Sequence, residues 1–348
     1  MPDHEQLPDG LGERSPEWHL EHFIEFTRCK LSVREPSPHL TMVGHMAREQ
    51  ELQERVWRLG CYAIPYSLPV GQTMWSAFNA EAALGNPQKV QDWVTQNWTA
   101  VLKGTRRERR CVRSVAKYND CLQSYIEFVR TGFPRLQKLD PASPDYYEHV
   151  WDEVNRVRYF GRYISIRVIE GLRRFCNIPA ELPDIRALGA WSPRRCLVYL
   201  APDRAEDLLT DSKECNARTE EIARHYAEVV RQAVPGCTYY IYAAMLCEYR
   251  DAFEDRRQYV GWTIDQEPLL HEKSKVHFGS LLDSALFWKT RSELFPHEAL
   301  CERSGNSRWN GTRWDLTPIL RDHGYVWSDL KYDYQRTTDF SNPVSRRS

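Results

Sequence analysis

The chain has 348 residues, 42% of them apolar, with 47 Lys and Arg set against 48 Asp and Glu for a formal net charge of −1. That composition supplies enough apolar surface for a core and excludes general disorder, while the balanced charge gives no sign of a globally basic nucleic-acid binder. No run of about 18 apolar residues is present, and the opening MPDHEQLPDG lacks the basic and apolar regions of a signal peptide, so a soluble, cytoplasmic protein is expected.

Residues 1–15 read as a disordered polar tail. From Pro16 to Arg34 the apolar residues Trp18, Phe23, Ile24 and Phe26 recur near helical spacing. They follow Ser15-Pro16-Glu17, an N-cap with proline at the first helical position, which predicts a helix. Glu49–Tyr62 predicts a second helix, ended by Gly60 and followed by an extended loop through Ile64-Pro65 and Leu68-Pro69. Thr73–Leu84 and Pro87–Leu102 predict two amphipathic helices divided by Gly85-Asn86. A basic stretch then leads into a helix over Ser114–Arg130, and residues 139–144 form a turn-rich joint. Helices over Tyr146–Arg158 and Arg162–Phe175 flank the hinge Tyr159-Phe160-Gly161. The proline-bearing stretch Asn177–Pro202 reads as a long connection, more often functional than idle in a compact domain. Helices over Glu206–Ala233, Tyr239–Asp255 and Leu281–Leu294 follow, and strand character is confined to Cys196–Leu200 and Tyr259–Ile264. The fold class expected is all-α with minor β. An N-terminal helical subdomain over 16–140 and a C-terminal one over 141–340 would form one catalytic unit.

Ten cysteines are scattered without a C-x-x-C pair, which signals buried thiols rather than a zinc ribbon or an iron–sulfur loop. Neither His19 with His22 nor His271 with His277 matches a metal motif, so no metal and no cofactor are expected. The densest charge cluster holds Lys103, Arg106, Arg107, Arg109, Arg110, Arg113 and Lys117 against a single acid. Such a cluster binds phosphates by counterion release without reading sequence, and a solvated helix face is the alternative. At the hinge, Gly161 and Arg162 open a helix whose backbone N–H groups could meet a phosphate, as in helix-hairpin-helix units. Any αα-hairpin shares that layout. Val234-Pro235-Gly236-Cys237-Thr238 is a second such hairpin. In the proline-rich connection, Trp191 precedes Arg194 and Arg195, whose guanidinium forks suit a phosphate or diphosphate, with structural capping as the alternative. Glu248, beside Tyr249 on a helix, and Asp265, behind a Gly-Trp turn, are the candidate general bases.

Several strings act together: Arg58-Leu59-Gly60-Cys61-Tyr62-Ala63-Ile64-Pro65-Tyr66-Ser67; Tyr159-Phe160-Gly161-Arg162-Tyr163; Asp184 with Gly189-Ala190-Trp191-Ser192-Pro193-Arg194; Leu246-Cys247-Glu248-Tyr249-Arg250; and Gly261-x-x-x-Asp265. In that order they resemble the alpha-glutamyl/putrescinyl thymine pyrophosphorylase family, also called amino acid:DNA transferases, in its second clade, over roughly residues 17–335. The resemblance implies a helical fold related to helix-hairpin-helix DNA glycosylases, and a reaction on duplex phage DNA. Hydroxymethyluracil, activated as a phosphate or pyrophosphate ester, would lose that group while an amine or amino acid bonds to its exocyclic methylene, giving a hypermodified thymine. On this reading Arg106, Arg107, Arg109, Arg110, Arg113, Lys117, Gly161 and Arg162 contact DNA. Arg194 and Arg195 hold the departing phosphate, and Tyr62, Tyr66, Trp191 and Tyr249 line the pocket for a flipped base. Asp265 or Glu248 takes a proton. Thr238 departs from the hairpin pattern, standing where a glycine belongs. Two alternatives stay open: a DNA N-glycosylase acting on a modified base with water at C1′, and a non-enzymatic DNA-binding or DNA-mimicking protein.

Overall fold

The computed structural model describes residues 14–105, 110–255, 262–295, 298–299, 306–309, 312–315 and 326–327. Their regular structure is helical apart from two short strand pairs, Glu298–Ala299 parallel to Val326–Trp327 and Asn306–Trp309 antiparallel to Thr312–Asp315, an all-α fold with minor β. No helix among the described residues is long and apolar enough to cross a membrane.

The first helix, α1 (Pro16–Ser32), begins where the sequence signals it, with the Ser15 hydroxyl accepting from the Trp18 backbone N–H at 3.2 Å. α2 (Pro38–Ala47) is mostly buried, with the polar residues His39, Thr41 and His45 among apolar ones. After α3 (Leu52–Ala63) the expected extended loop shrinks to four residues. Ser67 caps α4 (Leu68–Ala77), so Pro69 lies in the first helical turn, where its missing N–H costs nothing. Asn79 and Asn86 cap α5 (Ala80–Gly85) and α6 (Pro87–Gln96), and α7 (Trp98–Gly104) follows. α8 (Val115–Glu127) starts on a Ser114 cap and runs through a π-helical turn, Phe128–Gly132, into α9 (Phe133–Leu136). The register change falls just before Pro134, which has no N–H to continue the α ladder. α10 (Tyr146–Asn155) and α11 (Arg162–Phe175) flank the hinge, where Tyr159 takes a positive φ of 62°.

Within the long connection lies α12 (Trp191–Leu200), so Cys196–Leu200 is helical rather than extended. Its five residues are all buried, and an apolar run buried on every side carries no period by which to tell helix from strand. α13 (Ala205–Leu209), α14 (Lys213–Ala233) and α15 (Tyr239–Asp255) come next. α16 (Trp262–Phe278) contains Ile264 and Asp265, which places both inside a helix. α17 (Ser284–Leu294) is the last helix described.

The chain divides into two compact units that are discontinuous in sequence. Unit 1 takes residues 1–36, 182–265 and 295–348; unit 2 takes 37–181 and 266–294. The expected boundary at 140/141 falls inside unit 2. Unit 1 packs α1 with α12 and α15, its core formed by Phe23, Phe26, Tyr242 and Tyr249 with rings edge-on. In unit 2, α3 is the central helix, packed by α2, α4 and α11. Gly60 lets the Tyr125 ring lie on the α3 backbone, since a Cβ there would fall 1.8 Å from that ring. Tyr125 in turn donates to the Val56 carbonyl at 2.6 Å.

Candidate active site

Five side chains drawn from four segments of unit 2 converge on one cluster. Tyr62 lies in the last turn of α3, and Tyr66 follows in the turn before α4, with ring centroids 5.7 Å apart. Tyr163 and Arg167 lie one turn apart on α11, and His39 sits in the first turn of α2. The Tyr66 and Tyr163 hydroxyls share a hydrogen bond of 2.7 Å. The Arg167 guanidinium lies 4.5 Å from the Tyr163 ring centre and 5.1 Å from that of Tyr66. It also donates to the Ser37 hydroxyl at 3.0 Å and contacts His39 Nε2 at 3.3 Å. His39 in turn packs its ring 5.1 Å from Tyr62 and 5.3 Å from Tyr66. Behind it, Glu267 Oε1 lies 3.6 Å from His39 Nδ1.

Two of these residues are held in the left-handed region, Ser37 at φ 57° and Tyr66 at φ 51°. Ser37 precedes a proline and Tyr66 is bulky, so each conformation costs energy that the surrounding packing must offset, and such strain gathers at functional sites. Tyr62, His39 and Glu267 are buried, whereas Tyr163 is 46% exposed, so the cluster reaches the surface along α11. Aromatic faces beside one guanidinium suit a planar heterocycle that carries an anion.

The structure brings together Tyr62 and Tyr66 of the expected base pocket but takes other expected residues out of it. Tyr249 belongs to the unit 1 core, where its hydroxyl meets His19 Nδ1 at 3.2 Å and burial pushes its phenol far above the ordinary range. It is fully buried and works as packing rather than as a pocket wall. Arg194 is likewise completely buried, and its donors are taken up by the protein. Nε donates to the Leu208 carbonyl at 2.6 Å, Nη1 to Asn216 Oδ1 at 2.5 Å and the Ala187 carbonyl at 3.3 Å, and Nη2 to the Asp207 carbonyl at 3.0 Å and to that of Thr210. The role of phosphate holder therefore does not fit Arg194: it ties the connection before α12 to α13 and to the start of α14. Trp191 lies half-buried beneath this guanidinium, 5.5 Å from it, while Arg195 is half-buried on the same helix. Glu248 Oε2 faces the Lys30 ammonium at 3.2 Å, and Glu35 Oε1 faces it at 2.9 Å. Lys30 is fully buried, so Glu248 works as a counter-ion, and a carboxylate needed to neutralise a buried cation is poorly placed to take a proton.

Asp265 stands in the first turn of α16, its side chain outside the described residues. Arg106, Arg107 and Arg109 also lie outside them, and Arg110 opens a short 3₁₀ turn, Arg110–Arg113. Arg113 and Lys117 are exposed, with Lys117 in the first turn of α8. Gly161 is the exposed N-cap residue of α11, with no heavy atom within 4 Å of where a Cβ would stand, and Arg162 is half-buried beside it. The second hairpin, between α14 and α15, has Gly236 at φ 85°. Its Thr238 has a structural reason: the hydroxyl accepts from the Ile241 N–H at 3.2 Å and caps α15, which glycine could not do. Among the described residues no three His, Cys, Asp or Glu side chains gather as a metal site.

His39, Arg167 and Glu267 were missed by sequence reasoning. Arg167 was the most accessible of the three, one helical turn beyond Tyr163 and on the same face.

No curated protein and no solved structure is detectably similar to the chain. The family model described as "Amino acid:DNA transferase" matches residues 42–253, a segment that holds Tyr62, Tyr66, Tyr163, Arg167 and the Arg194 tie. Because that match spans more than half of the sequence, the chain belongs to the amino acid:DNA transferase family, enzymes whose substrates are DNA and an amino acid.

Proposed function

We propose that the protein replaces the phosphate or pyrophosphate on activated 5-hydroxymethyluracil in DNA with an amine or amino acid, giving a hypermodified thymine. The family membership carries this reading, and the cluster on α2, α3 and α11 supports it. Tyr163 offers an exposed ring against which an extruded base can stack, with Tyr66 and Tyr62 packed behind it, and Arg167 offers the cation that a departing phosphate needs. Arg113 and Lys117, with Arg106, Arg107, Arg109 and Arg110, would neutralise backbone phosphates without reading sequence, while the start of α11 at Gly161 and Arg162 would meet another. The incoming group supplies the nucleophile and the activated ester supplies the leaving group, so the chemistry needs a positioned cation and a proton acceptor.

The experiment is direct. A duplex carrying one hydroxymethyluracil pyrophosphate is incubated with the protein and with glycine, glutamate or 1,4-diaminobutane, then digested to nucleosides for mass spectrometry. A nucleoside whose mass is that of hydroxymethyldeoxyuridine plus the amine less one water, with release of pyrophosphate, is expected. Unchanged nucleosides with every amine would refute the reading, and abasic sites in their place would show a glycosylase.

A further inference from the structure

Arg167 and Glu267 lie on opposite nitrogens of His39, an arrangement that favours one tautomer of the neutral ring. A guanidinium only donates, so His39 Nε2, 3.3 Å from Arg167 Nη1, presents its lone pair there. The proton of a neutral imidazole then sits on Nδ1, facing Glu267 Oε1 at 3.6 Å. A carboxylate behind one imidazole nitrogen, with the other nitrogen aimed at a reacting site, is the arrangement by which an imidazole accepts a proton and its new charge is stabilised. Contacts of this kind tighten once substrate is bound. The site end of this pair is formed by Tyr62, Tyr66 and Arg167, and the strained Ser37 backbone holds α2 where His39 can reach them.

Resting on the function proposed above, we infer that His39 is the proton acceptor of the transfer step, with Glu267 as its positioning residue and Arg167 as a cation that exchanges partners. In the structure Arg167 donates to the Ser37 hydroxyl and contacts His39 Nε2. The di- or monophosphate of the activated base, a stronger acceptor than either, draws the guanidinium onto its oxygens and bares Nε2. The amine lone pair then forms the N–C bond to the exocyclic methylene, and the C–O bond to the ester oxygen breaks with its electron pair leaving on the phosphate. The N–H proton that the amine sheds goes to His39 Nε2. The resulting imidazolium faces the Glu267 carboxylate until the proton passes to solvent. His39 and Glu267 both lie outside the matched residues 42–253, so nothing in the family match assigns them.

The test is single-turnover transfer on the pyrophosphorylated duplex with saturating 1,4-diaminobutane, alongside DNA affinity and thermal stability. His39→Asn should lower the rate by roughly a hundredfold or more while DNA affinity changes less than about threefold. Added imidazole should restore part of the rate to His39→Gly, a rescue that a merely structural role would not give. Glu267→Gln should lose about tenfold at unchanged KM for the amine, with Glu267→Asp recovering part of it. Folded His39→Asn that keeps its rate within about threefold would overturn the inference, as would loss of chemistry in Asp265→Asn with His39→Asn unaffected. Should His39→Asn not fold, Glu267→Gln decides: a folded variant with full rate overturns the inference. A wild-type protein inactive with every amine sinks instead the functional reading beneath it.

Discussion

Arg194→Lys separates a structural arginine from a phosphate ligand. The wild-type guanidinium serves four backbone carbonyls, those of Ala187, Asp207, Leu208 and Thr210, together with Asn216 Oδ1, in complete burial. A lysine ammonium has three N–H groups in tetrahedral array and cannot reproduce a planar fork, so at least two of those acceptors lose their donor. Each buried acceptor left unmade costs about 1–3 kcal/mol, and the new ammonium remains charged in a site shaped for another cation, which brings the expected loss to about 3–5 kcal/mol. Urea unfolding followed by circular dichroism reads this as a fall in midpoint at unchanged slope. Transfer per folded molecule should stay close to wild type at a temperature where the variant is intact. A variant with the wild-type midpoint that has lost transfer would refute the reasoning and return Arg194 to the phosphate.

Gly60→Ala should destabilise unit 2 by about 2–4 kcal/mol, because its Cβ and the Tyr125 ring claim the same space. In a Tyr125→Leu background most of that cost should vanish, and an equal cost in both backgrounds would defeat the steric account. Replacing both Arg113 and Lys117 by Ala should flatten the salt dependence of DNA affinity by one to two contacts, about 1–2 in the log–log slope; an unchanged slope would assign them to a solvated face. Burial lowers the His19 pKa to about 4. Between there and the ordinary value near 6.5 the unfolded chain therefore binds a proton that the folded one refuses. Stability should fall as pH drops through that window, by less than about 1.4 kcal/mol per pH unit, and His19→Gln should flatten that limb. A parallel pH curve for the variant would show that another group is responsible.

What the sequence made legible was local. Ser15-Pro16, Asn86-Pro87 and Ser114 each announce a helix start because the capping atom and the capped N–H are three residues apart. α2 is hard to read in the sequence because its polar residues are too few to set a period, and the apolar run Cys196–Leu200, the second half of α12, has strand character for a related reason. Tyr62 and Tyr66 could be paired from one short string, whereas His39, Arg167 and Glu267 meet only after α2, α11 and α16 have packed, with at least 100 residues between successive members. Arg194 and Arg195 are equivalent as text. Only the closure of residues 207–216 over the first of them decides which one is enclosed.

The discontinuous division of the chain bears on the order in which it can fold. α1 must find α12 and α15 across the whole excursion 37–181, a long loop to close. That excursion leaves and returns on neighbouring helices of unit 2: the Phe175 ring at the end of α11 lies against Gly44 of α2, and Arg174 donates to the Thr41 hydroxyl at 2.9 Å. Once α2 and α11 have paired, contacts inside the excursion have met part of the entropy of closing that long loop. Substitutions at the α2–α11 contact should therefore slow the assembly of α1 onto α12 without touching any residue of that interface.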